Sequence, residues 1–222
     1  MFATHTIYSA PPPITPKWSV VTAGTELAID LDTVKTFIHR PLEDTFWDDE
    51  LTGFIRIATR EIEKHLQMDL VQSTFRATLP YFTENIRINR RPFQSISKID
   101  YVAVDGTITT VPTTLYHAMP IAQECGAIFL ADKQQWPEIA SRWDAVRIDV
   151  VAGYGSDQLP PDIEHALLMT IAAMDSKRGD QQEQGGSDVT VYAMKQAKGN
   201  SLIPVEARAL ISQYRLQTLT LA

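Results

Sequence analysis

The chain changes its hydrophobic period twice. Over about 48–67, Leu51, Phe54, Ile55, Ala58, Ile62 and Leu66 recur at three-to-four spacing and form one apolar helix face. From Leu70 the pattern shortens to strand-like runs that continue to about residue 151. Pro160-Pro161-Asp162 then opens another helix, about 161–177, with Ile163, Ala166, Leu167, Thr170, Ile171 and Met174 on one face. A block of strands enclosed by helices is neither an alternating β-α-β pattern nor a pure bundle. It predicts one α+β domain, with helices on either side of a β insertion.

Punctuation refines this plan. A short helix starts near Asp32, capped by Asp30 or Asp32, with Leu31, Val34, Phe37 and Ile38 at helical spacing, and Pro41 stops it. Strands are predicted at 70–80, 86–89, 95–104, 107–111, 126–131 and 145–151, with Asp105-Gly106 as a hairpin turn. Gly153-Tyr154-Gly155 reads as the turn that ends the sheet, because glycine supplies φ > 0 there. Pro11, Pro12, Pro13 and Pro16 forbid regular helix and favour an extended arm. Pro204 opens a last helix, about 204–215, as its first residue. The predicted organisation is an extended N-terminal arm (1–26), a core (27–178) with the β insertion at about 70–151, a polar loop (179–203), and a C-terminal helix and apolar-alternating tail (204–222).

With 222 residues, 44% of them apolar, the chain can bury a core without staples. Its single cysteine, Cys125, excludes an internal disulfide and fits a reducing compartment. Twenty basic against 27 acidic residues give a net charge of −7, which argues against binding by phosphate neutralisation. DNA can still pass nearby without adhering. The longest nearly apolar run, Ala166 to Met174, is about half of the ~20 residues a bilayer span needs, so no membrane is expected. The start, MFATHTIYSAPPP, has neither a positive n-region nor an apolar h-region, so the cytoplasm is the expected compartment.

Catalytic motifs find little support. There is no GxxxxGK[ST], GxGxxG, CxxC, HExxH or GxSxG. The five histidines, His5, His39, His65, His117 and His165, are scattered, and Cys125 has no adjacent base. Asp48-Asp49-Glu50 offers oxygens for a divalent metal in a nuclease or hydrolase. Consecutive helix residues point about 100° apart, however, and a solvated helix start favoured by the dipole accounts for the run. Arg87, Arg90 and Arg91 form the one concentrated basic cluster. It reads equally as a partner or phosphate contact and as a solvated turn beside Pro92. No catalytic residue, metal or cofactor is predicted.

Taken in order, the segments resemble a known family. The acidic start leads into the helix Asp48 to Leu66, followed by Val71 to Leu79 and Arg91-Pro92-Phe93-Gln94-Ser95-Ile96. Tyr101 to Gly106, Trp136-Pro137, Ala145 to Ile148 running into Ala152-Gly153-Tyr154-Gly155, and Leu159-Pro160-Pro161-Asp162-Ile163 complete the series. Over roughly 27–216 this resembles the head–tail connector (adaptor, head-completion) proteins of tailed phages, prophages and gene transfer agents. The resemblance implies a small helical bundle with an inserted antiparallel β region, and a non-enzymatic structural protein of the virion neck, made in the host cytoplasm. It implies a homo-oligomeric ring, usually of twelve subunits, between the portal protein and the stopper or tail-completion proteins. That ring extends the channel for double-stranded DNA, which passes without sequence-specific binding.

The same resemblance assigns portal binding to the C-terminal segment, with Tyr214, Arg215, Leu216, Leu219 and Leu221 as anchors; ordinary packing of a last helix is the alternative. The long arm, the enlarged 179–203 loop and the tail beyond Arg215 depart from the family pattern. Residues 26–69 hold eleven acids against five bases. Around a ring such an excess multiplies, so Asp48, Asp49 and Glu50 are expected to line the channel. The competing readings are a tail-completion or stopper protein of the same particle and a metal-dependent nuclease or hydrolase.

Overall fold

The computed structural model describes residues 15–121, 124–155, 158–182 and 201–215, without the side chains of 177–182. Two hydrophobic cores lie along it, one helical and one between two sheets.

The helical core forms around α2 (Asp48–Leu66). All six apolar positions read from its period are buried, so the face is used as the sequence dictates. Each of the large ones, Leu51, Phe54, Ile55, Ile62 and Leu66, gains roughly 1.5–3 kcal/mol on burial. Helix α1 (Leu31–Phe37) starts at Asp30, whose carboxylate accepts the Asp32 N–H at 3.1 Å and so decides between the two candidate caps. Helix α3 (Pro161–Gln182) buries all six of its predicted face residues. It runs past the predicted end and takes in the first residues of the predicted polar loop. Helix α4 (Val205–Ile211) closes the bundle and continues as a 3₁₀ turn over Ser212–Tyr214. Pro204 is the cap of α4 rather than its first helical residue. Leu202 and Ile203, at the other end of that loop, are buried in the helical core.

The β region has two antiparallel sheets. β1 (Lys17–Thr22), β2 (Ser73–Leu79), β8 (Val146–Ala152), β4 (Phe93–Val102) and β5 (Ile108–Thr110) follow one another across the larger. β3 (Asn85–Ile88), β7 (Gly126–Leu130) and β6 (Tyr116–Pro120) make the smaller. Their facing sides, with Ile86, Ile88 and Ile128 against Ile99, Ile148 and Val150, form the second core. β4 and β5 join through the predicted turn, where Gly106 has φ 88° and Asp105 Oδ1 accepts the Thr107 N–H at 2.9 Å. Gly153, at φ 101°, lies so close to the Val71 carbonyl that a β-carbon would collide with it. Gly155 has no positive φ, so the turn needs only one of its two glycines in that region.

Two strands escape the sequence pattern. β6 is mostly exposed, so it carries no alternation to read. β1 lies within the segment expected as an extended arm. It is extended, but it pairs with β2, and Trp18 packs against the β core. Residues 1–14 of that arm lie outside the described residues.

Candidate functional site

The acidic run sits at the start of α2, where the helix dipole favours it. Its three members have different surroundings. Asp48 forms an ion pair with Lys35 of α1, with Oδ1 2.6 Å from Nζ but off the hydrogen-bond line. Lys35 is only 2% exposed and also donates to the Leu42 carbonyl at 3.2 Å. A buried ammonium needs that counter-charge, so Asp48 serves the fold. Asp49 is exposed and Glu50 half-buried. Among the described residues no three His, Cys, Asp or Glu side chains come together to hold a metal ion.

The three arginines also part. Arg91 is 3% exposed. Its guanidinium donates to the carbonyls of Leu66 (2.6 Å), Gln67 (3.3 Å) and Tyr214 (3.0 Å). It thereby ties the end of α2, whose last carbonyls carry partial negative charge, to the C-terminal turn. Arg90 pairs with Asp69 at 3.0 Å and stacks over Phe75, 4.0 Å from the ring centroid. Only Arg87 of the three is exposed. The cluster read as one basic patch is therefore one solvent-facing arginine and two that brace the interior.

The C-terminal turn is held from two sides. Tyr214 OH lies 3.4 Å from Asp162 Oδ2 at the start of α3, and Gln213 Nε2 donates to the same oxygen at 2.6 Å. Burial and the Asp162 carboxylate both raise the Tyr214 pKa. Arg215 is exposed; Leu216, Leu219 and Leu221 lie outside the described residues. His65, near Arg208 and Arg215, has its pKa lowered by burial and by their charge. Cys125 is buried, which pushes its thiol upward in pKa.

A cleft of about 500 Å³ opens between the α1 approach and the end of the larger sheet. Glu26, Asp30 and Glu164 stand around an apolar floor of Ile29, Leu70 and Leu159. Across the outer face of the sheet, Asp149 is 4% exposed and receives both arms of Arg76, at 2.7 and 2.8 Å. Tyr154, which also lines the cleft, donates its hydroxyl to Glu124 Oε2 at 3.2 Å.

Solved structures contain the same architecture. A chain from the neck of an empty gene transfer agent particle, computed with C6 symmetry, superposes with a TM-score of 0.67 at 21% identity, over 92% of this chain and 98% of that one. A chain from the virion of a native gene transfer agent particle gives 0.66 at 20% identity, over 91% and 97%. One from the neck of a native particle, computed with C12 symmetry, gives 0.61 at 20%, over 92% and 98%. The chain shares its fold with gene transfer agent neck components. No family model and no curated protein matches it.

Sequence reasoning missed the Arg91 clamp, because its three acceptors are backbone carbonyls that leave no mark in the sequence. It also missed what flanks the acidic run. Before α2, Leu42 and Phe46 are 51% and 79% exposed, and on its outward face Ile57 is 45% exposed among Arg56, Arg60 and Lys64. The signal was present in the helical spacing of 56, 57, 60 and 64, on the side opposite the core face.

Proposed function

We propose that the chain is a structural head–tail adaptor, one subunit of a ring between the portal and the stopper or tail-completion proteins of a virion neck. The observation that carries this reading is the end-to-end match to neck chains, over 92% of this chain and 98% of theirs. Loss or gain of a domain would have broken that coverage. Two of the matching necks were computed with C6 and C12 symmetry, which supports a cyclic arrangement and a twelve-subunit ring in particular. No helix among the described residues is long and apolar enough to cross a membrane.

The ring would extend the DNA channel without gripping it. Asp49 is the acid of the run that can face a lumen as a free charge, since Asp48 is already neutralised by Lys35. Changing Asp49→Asn with Glu50→Gln should slow DNA ejection from assembled particles; unchanged ejection kinetics would remove these acids from the channel.

The portal-facing segment is the C-terminal turn and tail. Tyr214 anchors its base on Asp162, and Arg215 beside it is exposed. The deciding experiment is native mass spectrometry of the purified chain, alone and with its portal protein. A monomer that becomes a stoichiometric ring on the portal is expected. A chain that ignores the portal overturns the adaptor reading and favours a stopper.

A further inference from the structure

The loop between α1 and α2 exposes what soluble proteins usually cover. Leu42 and Phe46 are 51% and 79% exposed, and Glu43 and Asp44 stand between them without an ion-pair partner among the described residues. The loop is nonetheless braced. Lys35 holds the Leu42 carbonyl at 3.2 Å, and Asp44 Oδ1 accepts the Phe46 N–H at 3.1 Å. Phe46 packs edge-on against Trp47, 4.5 Å between centroids. Arg40 lies 5.5 Å over that Trp47 ring and is pinned by Asp175 of α3 at 2.7 Å. An exposed aromatic on a braced loop is pre-organised for contact, because little further ordering is required on binding.

The outward face of α2 is its complement. Arg56, Ile57, Arg60 and Lys64 share that face, and all four are exposed. None of the three bases has an ion-pair partner among the described residues. Gly53, one turn earlier, leaves open space where a side chain would stand. One surface is thus acidic and apolar and the other basic and apolar. Ile57 lies nine residues beyond the start of α2, about 13 Å along the axis, so the braced loop cannot fold back onto it.

We infer that the 42–46 loop of one copy docks on the Arg56–Lys64 face of α2 in a second copy. This rests on the ring reading and names one contact within it. Each copy carries both surfaces, which makes the contact heterologous and able to repeat around a closed ring. The patch is smaller than a whole interface of ~1,000 Å² and acts as its anchor. Opposite charges across it select the partner and the register.

The test uses two charge-reversed full-length chains, Glu43→Lys with Asp44→Lys, and Arg56→Glu with Arg60→Glu. The four positions are exposed, so far-UV circular dichroism should match wild type. Oligomeric state is read by native mass spectrometry, alone and on the portal. Each variant by itself presents like charge to like and should associate at least about tenfold more weakly than wild type. Mixed one to one, they should assemble again, alternating around the ring. Variants that each assemble like wild type, or a mixture that stays apart, overturn the contact while the ring reading stands. A wild-type chain that never self-associates, even on the portal, overturns both. If Arg56→Glu with Arg60→Glu assembles normally but loses retention of duplex DNA at low salt, the face is a phosphate contact and the inference fails.

Discussion

Replacing Arg91 with alanine removes the fork that joins Leu66, Gln67 and Tyr214, and leaves the buried Leu66 carbonyl and two half-buried ones without that donor. The expected loss is about 2–4 kcal/mol in urea unfolding, since buried polar groups deprived of partners cost about 1–3 kcal/mol each and charged donors more. Arg91→Lys should recover little, because an ammonium cannot reach several carbonyls with a planar fork. Arg87→Ala, on an exposed strand position, should stay within about 0.5 kcal/mol of wild type. Equal losses at 87 and 91 would contradict the placement of these two residues. The three arginines are indistinguishable by type and spacing; burial alone separates them.

Helix α2 places three kinds of chemistry at known angles. Its core face packs against α3, its first turn holds the acids, and its outward face carries the bases. Gly53 interrupts that outward face in mid-helix. With open space around it, Gly53→Ala should stabilise the monomer by roughly 0.5–1 kcal/mol, read from the thermal midpoint, because alanine loses less backbone entropy on folding. A destabilised variant would mean that the helix is strained or crowded there. In β2, β8 and β4 the order differs. Their inward positions make the second core, while Arg76, Asp149 and Lys98 meet across the outer face. Asp149 lies at matched register with both Arg76 and Lys98, a relation fixed by strand pairing.

At the scale of the whole molecule, Lys17–Thr22 of the expected arm joins the larger sheet, and the C-terminal turn is tied to Arg91 and to Asp162. Deleting 216–222 keeps Tyr214 and Arg91, and with them the tie between the C-terminal turn and the end of α2. The truncated chain should therefore unfold like wild type yet fail to join portal-bearing heads, measured by sedimentation of heads with bound adaptor. Incorporation at the wild-type level would place portal binding elsewhere. The two-core layout also explains how a neck chain of only 20% identity can match 92% of this chain. Apolar residues of suitable size at the right period preserve a packing scheme while the surface changes freely.

Period, caps and turns were enough to place the helices and most of the strands, though not β1 or β6. Every apolar position read for α2 and α3 is buried, Asp105-Gly106 turns where it should, and β2 to β8 lie between α2 and α3. These are local properties: a 3.6-residue repeat, a glycine with φ > 0 or a capping carboxylate acts within a few residues. Tertiary structure alone decided that part of the arm is a strand, that Lys35 neutralises Asp48, and that Arg91 is a clamp. It also left Phe46 and Ile57 uncovered. Such outcomes depend on which distant groups share a neighbourhood once the chain has closed. Burial then turns the same charge from a solvated side chain into a structural tie.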